Sequence, residues 1–172
     1  MQKRANAVTF KGKPLALVGP ELKVGDKAPE FACATSSLEV LSLGKTPAKT
    51  RLFSVVPSLD TPVCSTETIR FNREVAGIGG NTQVSVISMD LPFAQKRFCG
   101  SENISNIQTL SDHREASFGR AYGVLIKELR LLARALFVVD PSGTIRYVQI
   151  VPEVAQEPNY DEALNALRAA AG

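Results

Sequence analysis

Strand-like apolar runs alternate with single helical segments along this chain, and that alternation constrains the fold more than any other feature of the sequence. Strands that alternate with helices are typical of α/β layered domains, in which helices cover a sheet. The predicted strands span residues 8–10, 14–18, 38–43, 51–56, 83–89, 107–110, 135–139 and 144–151. The predicted helices span residues 62–76, 90–100, 114–122 and 160–171.

Two hairpins refine this architecture. The Asp-Pro-Ser-Gly turn at residues 140–143 joins the last two strands directly, so these strands must be antiparallel. Residues 8–18 contain two short apolar runs around Gly12, which is typical of a small hairpin. We therefore expect an α/β thioredoxin-like sandwich, with a mixed central sheet flanked by helices and an added N-terminal β-hairpin.

The size and charge of the chain limit its organisation and partners. With 172 residues and 18.5 kDa it can bury ~70% of the surface that its unfolded form exposes, which indicates one domain over residues 1–172. Lysine and arginine number 20 against 17 acidic residues, too weak an excess to indicate nucleic-acid binding. No apolar run approaches the ~18 residues of a membrane span, and residues 1–19 lack the apolar stretch of a signal peptide. We expect a cytoplasmic protein that binds neither nucleic acid nor membrane.

The chain has few residues suited to metal or redox chemistry. It contains one histidine, so no pair of histidines is available for a zinc site. Its three cysteines, Cys33, Cys64 and Cys99, lie 31 and 35 residues apart, which excludes a Cys-x-x-Cys zinc or redox motif. An odd number of cysteines also argues against a secreted scaffold held together by disulfides. The sequence predicts no metal site.

Cys64 is notable because it follows directly on a predicted helix N-terminus. Thr61 is predicted as the N-cap and Pro62 as the first helical residue, which places Cys64 in the first turn. Unpaired backbone N–H groups and the helix dipole favour a thiolate there, the form that attacks a peroxide oxygen. Cys64 also shares a helical face with Thr68 and Phe71, where a small cysteine is commonly a core residue. Position and spacing alone leave both interpretations open.

Two strings of sequence resemble a known family. The first is Pro57-Ser-Leu-Asp-Thr-Pro-Val-Cys64, which contains the Pro-x-x-x-Thr-x-x-Cys pattern of peroxiredoxin active sites and is followed by Arg70-x-Asn72. The second is Asp90-Leu-Pro-Phe-Ala-Gln-Lys-Arg-Phe-Cys99-Gly, with Ala121-Tyr-Gly-Val124 and Leu132-Ala-Arg-Ala135 further on. In these strings the chain resembles the thiol peroxidase branch of the peroxiredoxins, from about residue 8 to the C-terminal helix.

The resemblance implies roles for five residues. Cys64 would be the peroxidatic cysteine, oxidised to a sulfenic acid, and the Thr61 hydroxyl would orient peroxide and thiolate. Arg134 would stabilise the thiolate and the developing charge, and Pro57 would shield the pocket. Cys99 would be the resolving cysteine, which forms an intramolecular disulfide with Cys64. Without the resemblance, Arg134 is expected to reach solvent from a strand end, and Cys99 to pack inward.

The resemblance also implies the reaction and its partners. Hydrogen peroxide and organic hydroperoxides would be the substrates, thioredoxin the reductant, and the protein a homodimer acting in antioxidant defence, with no cofactor and no metal. The helix that carries Cys99 would have to unwind partly for the disulfide to form. The alternatives are a general thiol–disulfide oxidoreductase, against which the missing Cys-x-x-Cys argues, and a redox-sensing protein without turnover. Cys33, expected in a buried strand, and His113 match no motif and receive no role.

Overall fold

Eleven β-strands and four α-helices make up the computed structural model, which describes residues 1–172. The strands are β1 Lys3–Phe10, β2 Lys13–Val18, β3 Ala32–Ala34, β4 Val40–Ser42, β5 Thr50–Val55, β6 Thr82–Ser88, β7 Gln108–Ser111, β8 Leu125–Ile126, β9 Leu131–Leu132, β10 Ala135–Val139 and β11 Ile145–Ile150. The helices are α1 Pro62–Val75, α2 Pro92–Ser101, α3 Ser117–Ala121 and α4 Tyr160–Ala171, with a 3₁₀ turn at Leu43–Lys45. None of these helices combines the length and apolar character needed to cross a membrane.

The strands form two sheets. The larger sheet has seven strands in the order β11-β10-β5-β6-β7-β3-β4, and the smaller has four in the order β1-β2-β8-β9. In the larger sheet β5, β6 and β7 run parallel to one another, and every other neighbouring pair is antiparallel. The expected mixed sheet is therefore confirmed, as is the antiparallel pairing of the last two long strands.

The larger sheet is covered on both faces, so the core has two layers. On one face Leu52 and Val84 pack against α1 and α4 through Phe71 and Leu164. On the other face Phe53 packs in a larger cluster that includes α3 and the smaller sheet. Every residue of β5 is buried, which is the central position that its near-continuous apolar sequence predicted.

The N-terminal hairpin is longer than predicted and forms part of the smaller sheet. β1 and β2 pair antiparallel across Lys11 and Gly12, whose positive φ angles of 51° and 77° form the tight turn. β2 also pairs with β8, and β8 with β9, so the hairpin is half of a four-stranded sheet. β8 and β9 have two residues each, and such short runs carry no periodicity from which a strand could be predicted.

The helix predicted over residues 114–122 is wrong in its bounds. The observed helix is the shorter α3, because Ala116 adopts a left-handed φ of 50° that interrupts any earlier turn. The Asp112 carboxylate then accepts hydrogen bonds from the backbone N–H groups of Phe118 and Gly119 at 2.9 and 2.8 Å. These bonds satisfy two N–H groups that have no helical partner, so the helix begins there.

The other helices agree more closely with prediction. α1 begins at Pro62 with Thr61 as N-cap, and α4 spans the predicted residues. Gly100 does not end α2, since the helix continues to Ser101 and is capped at Glu102. The chain turns only after that point, where Asn103 takes a left-handed φ of 55°.

Only glycine fits at position 123. This residue has a φ of +69°, and a Cβ atom there would lie 1.8 Å from the carbonyl oxygen of Pro20. We expect Gly123→Ala to lower the free energy of unfolding by about 4 kcal/mol, from left-handed strain plus the displaced backbone. Gly143→Ala is the matched control, because its φ is +87° but nothing lies within 4 Å of the added atom; it should cost ~1 kcal/mol. Urea unfolding of both variants measures the difference, and equal losses would contradict the close approach at Gly123.

Candidate active site

A loop connects strand β5 to helix α1, and Cys64 is the third residue of that helix. The Cys64 side chain is completely buried, with an exposed fraction of 0%. Thr61 occupies the N-cap position, but its side chain does not cap the helix. Its hydroxyl instead donates a hydrogen bond to the Ser58 carbonyl at 2.9 Å, which folds the preceding loop against the first turn of α1.

Arg134 brings a charge to this buried cysteine. Nη2 of Arg134 lies 3.2 Å from Sγ of Cys64, and Nη1 lies 2.7 Å from Oε2 of Glu67. The remaining donor, Nε, is bonded to the Val154 carbonyl at 3.0 Å. Only 2% of Arg134 is exposed, so the side chain does not reach solvent as its strand-end position suggested. The planar guanidinium can meet all three partners because its donors point in fixed, divergent directions.

Glu67 makes the buried arginine possible, and the sequence analysis missed it. Its carboxylate is completely buried, accepts the Arg134 bond on Oε2, and accepts a bond from Ser54 Oγ on Oε1 at 2.9 Å. Burial raises the pKa of Glu67, while the charge of Arg134 and both hydrogen bonds act against this rise. The available signal was the position of an acid three residues after Cys64, on the otherwise apolar face of a helix.

A cavity of about 320 Å³ opens above this group. Pro57, Thr61 and Arg134 line this cavity together with Lys11 and Ser58, and much of the remaining lining is apolar: Phe10, Pro62, Val63, Ile126, Leu129, Leu131 and Val154. Phe10 comes from the N-terminal hairpin, and Leu131 comes from β9, so the smaller sheet builds much of the wall. The site therefore combines a guanidinium that contacts Cys64 with a cavity whose lining is largely apolar.

One carboxylate binds three groups at the tip of the hairpin that carries Phe10. Glu153 accepts hydrogen bonds from the Thr9 hydroxyl and from the backbone N–H groups of Lys11 and Gly12. The Thr9 hydroxyl contributes most to lowering the pKa of Glu153, to about 2, and the backbone bonds to Lys11 and Gly12 lower it further. The carboxylate thus stays ionised and holds the edge of the cavity in place at neutral pH.

Cys99 is not part of this group. It lies near the end of α2 as a half-buried free thiol, and it faces a separate cavity of about 450 Å³ that Lys96 and Thr109 also line. Burial raises the pKa of Cys99, and a hydrogen bond with Thr109 partly offsets that effect. The neighbouring Phe98 is the α2 residue that packs against the cluster around Cys64. The structure thus brings together Cys64, Thr61, Arg134 and Pro57 of the predicted residues, and leaves Cys99 apart.

The remaining candidates lie elsewhere. Cys33 is buried in β3, as expected, and its thiol donates to Asp112 Oδ1 at 3.5 Å. Burial raises the pKa of Cys33 far above the ordinary range, which makes it a poor nucleophile. Nδ1 of His113 lies 2.9 Å from the hydroxyl of Ser111 and touches no cysteine. No cluster of three or more His, Cys, Asp or Glu side chains suited to a metal ion occurs.

Comparison with known sequences identifies related proteins. Residues 23–164 match the family model described as Redoxin. A thiol peroxidase of Listeria monocytogenes serotype 4b is 55% identical over 163 residues, which cover 95% of this chain and 98% of the relative. A thiol peroxidase of Bacillus subtilis is 52% identical over 162 residues, which cover 94% of this chain and 96% of the relative.

Solved structures agree with this result. A peroxiredoxin-like protein from Aquifex aeolicus superposes with a TM-score of 0.90 at 50% identity, over 96% of this chain and 98% of that one. A thiol peroxidase from Chromobacterium violaceum has a TM-score of 0.83 at 21% identity, over 94% of this chain and 95% of that one. The second similarity, at low identity, is one of fold alone. Together they confirm the expected thioredoxin-like sandwich.

The buried pair of Arg134 and Glu67 should contribute to the free energy of unfolding as a coupled unit. Arg134→Met should lower the free energy of unfolding by about 3–5 kcal/mol, because it leaves the Glu67 carboxylate buried without a counter-charge. The double variant Arg134→Met with Glu67→Gln should recover about 2 kcal/mol of that loss, since no charge remains to be buried. Chemical unfolding of Arg134→Met, of Glu67→Gln and of the double variant gives the three free-energy changes of a double-mutant cycle. Losses that simply add would show that the two side chains are not coupled.

Proposed function

This chain belongs to the redoxin family, within its thiol peroxidase branch, and from that premise we propose that Cys64 is the residue that attacks the peroxide. The enzyme is a peroxidase of the peroxiredoxin type, an oxidoreductase that acts in antioxidant defence. The observation that carries the assignment is the 3.2 Å contact between Nη2 of Arg134 and Sγ of Cys64. A guanidinium that is always charged stabilises a thiolate at this distance, and a thiolate is the nucleophilic form of cysteine.

The first step of the proposed cycle oxidises Cys64. The thiolate attacks the terminal oxygen of a hydroperoxide, the O–O bond breaks, and the departing alkoxide takes a proton to leave as an alcohol. Cys64 becomes a sulfenic acid. Arg134 stabilises the charge that moves from sulfur to oxygen, and the Thr61 hydroxyl, which lines the cavity beside it, orients the peroxide. Pro57, which is buried, shields the sulfur from bulk water.

The cavity supports organic hydroperoxides as substrates beside hydrogen peroxide. Its lining includes the large apolar side chains of Phe10, Leu129 and Leu131, and about a third or more of Phe10 and Leu129 is exposed to solvent. An alkyl chain that covers these residues removes apolar surface from water, worth about 25 cal/mol for each Å². Hydrogen peroxide has no such group, so it gains nothing from the apolar wall.

The second step uses Cys99. We propose that Cys99 gives up its proton and that the resulting thiolate attacks the sulfenic sulfur of Cys64, which forms the intramolecular disulfide and expels hydroxide, which takes up a proton to leave as water. Because Cys64 is completely buried and Cys99 faces a different cavity, both cysteine-bearing segments have to move first. A thioredoxin dithiol then reduces the disulfide by exchange, so that thioredoxin leaves oxidised and both thiols return.

We also propose that residues 1–172 act as one domain, in a cytoplasmic homodimer. The odd number of cysteines argues against a secreted scaffold held together by disulfides, which supports a reducing compartment. The resemblance to the thiol peroxidase branch supports the dimer.

Two cysteine variants test the cycle. Cys64→Ser should abolish peroxide consumption coupled to thioredoxin oxidation, because no nucleophile remains. Cys99→Ser should also lose thioredoxin-linked turnover but should still consume one equivalent of peroxide, with a sulfenic acid trapped at Cys64 by mass spectrometry. Cys33→Ser is the matched control and should keep full turnover, since that thiol is buried beside Asp112.

Other outcomes separate the alternatives. Full activity of Cys64→Ser would exclude the assignment. Efficient insulin reduction by the unaltered enzyme would indicate a general thiol–disulfide oxidoreductase, and a single oxidation without steady-state turnover would indicate a sensor.

The required movement of α2 gives a separate prediction. Partial unwinding around Cys99 should reduce amide-exchange protection in the second half of α2 by at least tenfold when the disulfide forms, because an open turn exchanges freely. Hydrogen exchange of reduced and peroxide-treated protein measures this, with α4 as the internal reference. Equal protection of α2 in the two states would count against unwinding.

A further inference from the structure

The carboxylate of Asp90 joins the loop before α1 to the start of α2. Its Oδ1 accepts a hydrogen bond from Ser58 Oγ at 2.7 Å, and its Oδ2 accepts one from the backbone N–H of Leu59 at 2.8 Å. Both donors lie in the loop of residues 57–61, directly before Cys64 enters its helix. Asp90 lies two residues before α2 begins. The Asp90 side chain therefore links the loop before Cys64 to the segment that precedes the helix of Cys99.

The sheet side of this connection is fixed. Ser88 Oγ, at the end of β6, donates to Asp90 Oδ2 at 2.7 Å, and the Asp90 carbonyl accepts a bond from the Ser111 hydroxyl. Gln95, completely buried in α2, donates to Ser88 Oγ at 3.1 Å and to the Leu110 carbonyl at 2.9 Å. Asp90 and the first turn of α2 are thus held by the ends of two strands of the larger sheet. The loop is held by its two bonds to Asp90 and by Leu59, which is buried in one cluster with Val56 and Cys64, so separation of the loop has to withdraw Leu59 as well.

The loop is also tied to the peroxide site. The Thr61 hydroxyl is bonded to the Ser58 carbonyl, so displacement of Ser58 moves Thr61 with it. Cys64 is completely buried while the loop is in place. Departure of the loop from Asp90 therefore does two things at once: it uncovers the sulfur, and it removes the hydroxyl that orients the peroxide.

We propose that Asp90 is a positioning residue that holds the loop of residues 57–61 closed and so sets how often Cys64 becomes accessible. The closed form reacts with peroxide, and the open form meets Cys99. Two hydrogen bonds to the Asp90 carboxylate hold the closed form, and hydrogen bonds to carboxylates are stronger than those between neutral groups. Removal of the carboxylate raises the open population by about tenfold, and removal of the Ser58 hydroxyl alone raises it by about threefold.

The consequence for the reaction rests on the proposed function. While the loop is closed, a second hydroperoxide can oxidise the Cys64 sulfenic acid to a sulfinic acid, releasing a second alcohol. When the loop is open, Cys99 displaces water from the sulfenic sulfur instead. Asp90 thereby sets the ratio of overoxidation to disulfide formation.

Alkylation of the reduced enzyme by iodoacetamide tests the loop directly. Mass spectrometry of the Cys64 peptide should show a rate about tenfold higher in Asp90→Ala and about threefold higher in Ser58→Ala than in the unaltered enzyme. Asp26→Ala is the matched control, because that carboxylate also holds a loop, by accepting from the Lys23 N–H at 2.8 Å, but far from Cys64 in the chain. It should leave the Cys64 rate unchanged.

The alkylation rate of Cys33 distinguishes local opening of the loop from global destabilisation of the fold. With 2% exposure, it is modified only when the core opens, so its alkylation rate should stay constant in both loop variants. An unchanged Cys64 rate in both variants would overturn the proposal. A parallel rise at Cys33 and Cys64 would do the same, since it would show global destabilisation.

Rapid-quench oxidation then measures the balance within the cycle. Conversion of the Cys64 sulfenic acid to the disulfide should be faster than in the unaltered enzyme in both variants, and the increase should be larger in Asp90→Ala than in Ser58→Ala. The initial oxidation of Cys64 by peroxide should not become faster in either variant. The peroxide concentration that overoxidises half of the enzyme should rise by the same factors. Slower disulfide formation in Asp90→Ala would refute the proposal. Absence of any sulfenic acid in the unaltered enzyme would refute the proposed function instead, and the alkylation result would still decide the role of Asp90.

Discussion

The buried ion pair of Arg134 and Glu67 is the interaction on which the rest of the site depends. A guanidinium with 2% exposure would be too costly in this core without a counter-charge, and Glu67 supplies one at 2.7 Å. Once paired, Arg134 retains one nitrogen for Cys64. Burial of the Arg134 and Glu67 charges costs stability, but it places a guanidinium nitrogen on the Cys64 sulfur. A neutral, better-packed core could be more stable, but it would have no donor aimed at the sulfur.

The position of that pair follows from the order of the strands. Arg134 precedes β10, which lies beside β5, and β5 leads into α1 with Cys64 and Glu67. Residues that are 67 and 70 positions apart in the chain therefore meet at one edge of the sheet. The smaller sheet packs over the same edge and adds Phe10 from a third distant segment. The site is a product of the topology, and no single segment contains it.

This origin explains how much could be predicted from the sequence. α1 and α4 were predicted well because proline, capping residues and helical periodicity act within a few residues of one another. β8 and β9 could not be, because two-residue strands exist only through their pairing with β2 and with each other. Ala116 delays the start of a predicted helix, since its left-handed backbone contradicts its helical propensity. Its position in the first turn of a helix left Cys64 open between a reactive thiolate and a core residue, and the family resemblance supplied its role and that of Arg134. Glu67 follows in principle from an acid on an apolar helical face.

Cys64 has to satisfy two opposed requirements, and the polar contacts around it reflect both. Reaction with peroxide favours a closed site, in which Arg134 and Thr61 are already oriented and no side chain has to reorganise. Formation of a disulfide with Cys99 favours an open one, because the two thiols face different surroundings. A closed form held by apolar packing alone would open only with loss of the core. A closed form held by hydrogen bonds at Asp90 and by the packing of Leu59 in the small cluster around Cys64 can open locally, while the two-layered core around β5 stays intact.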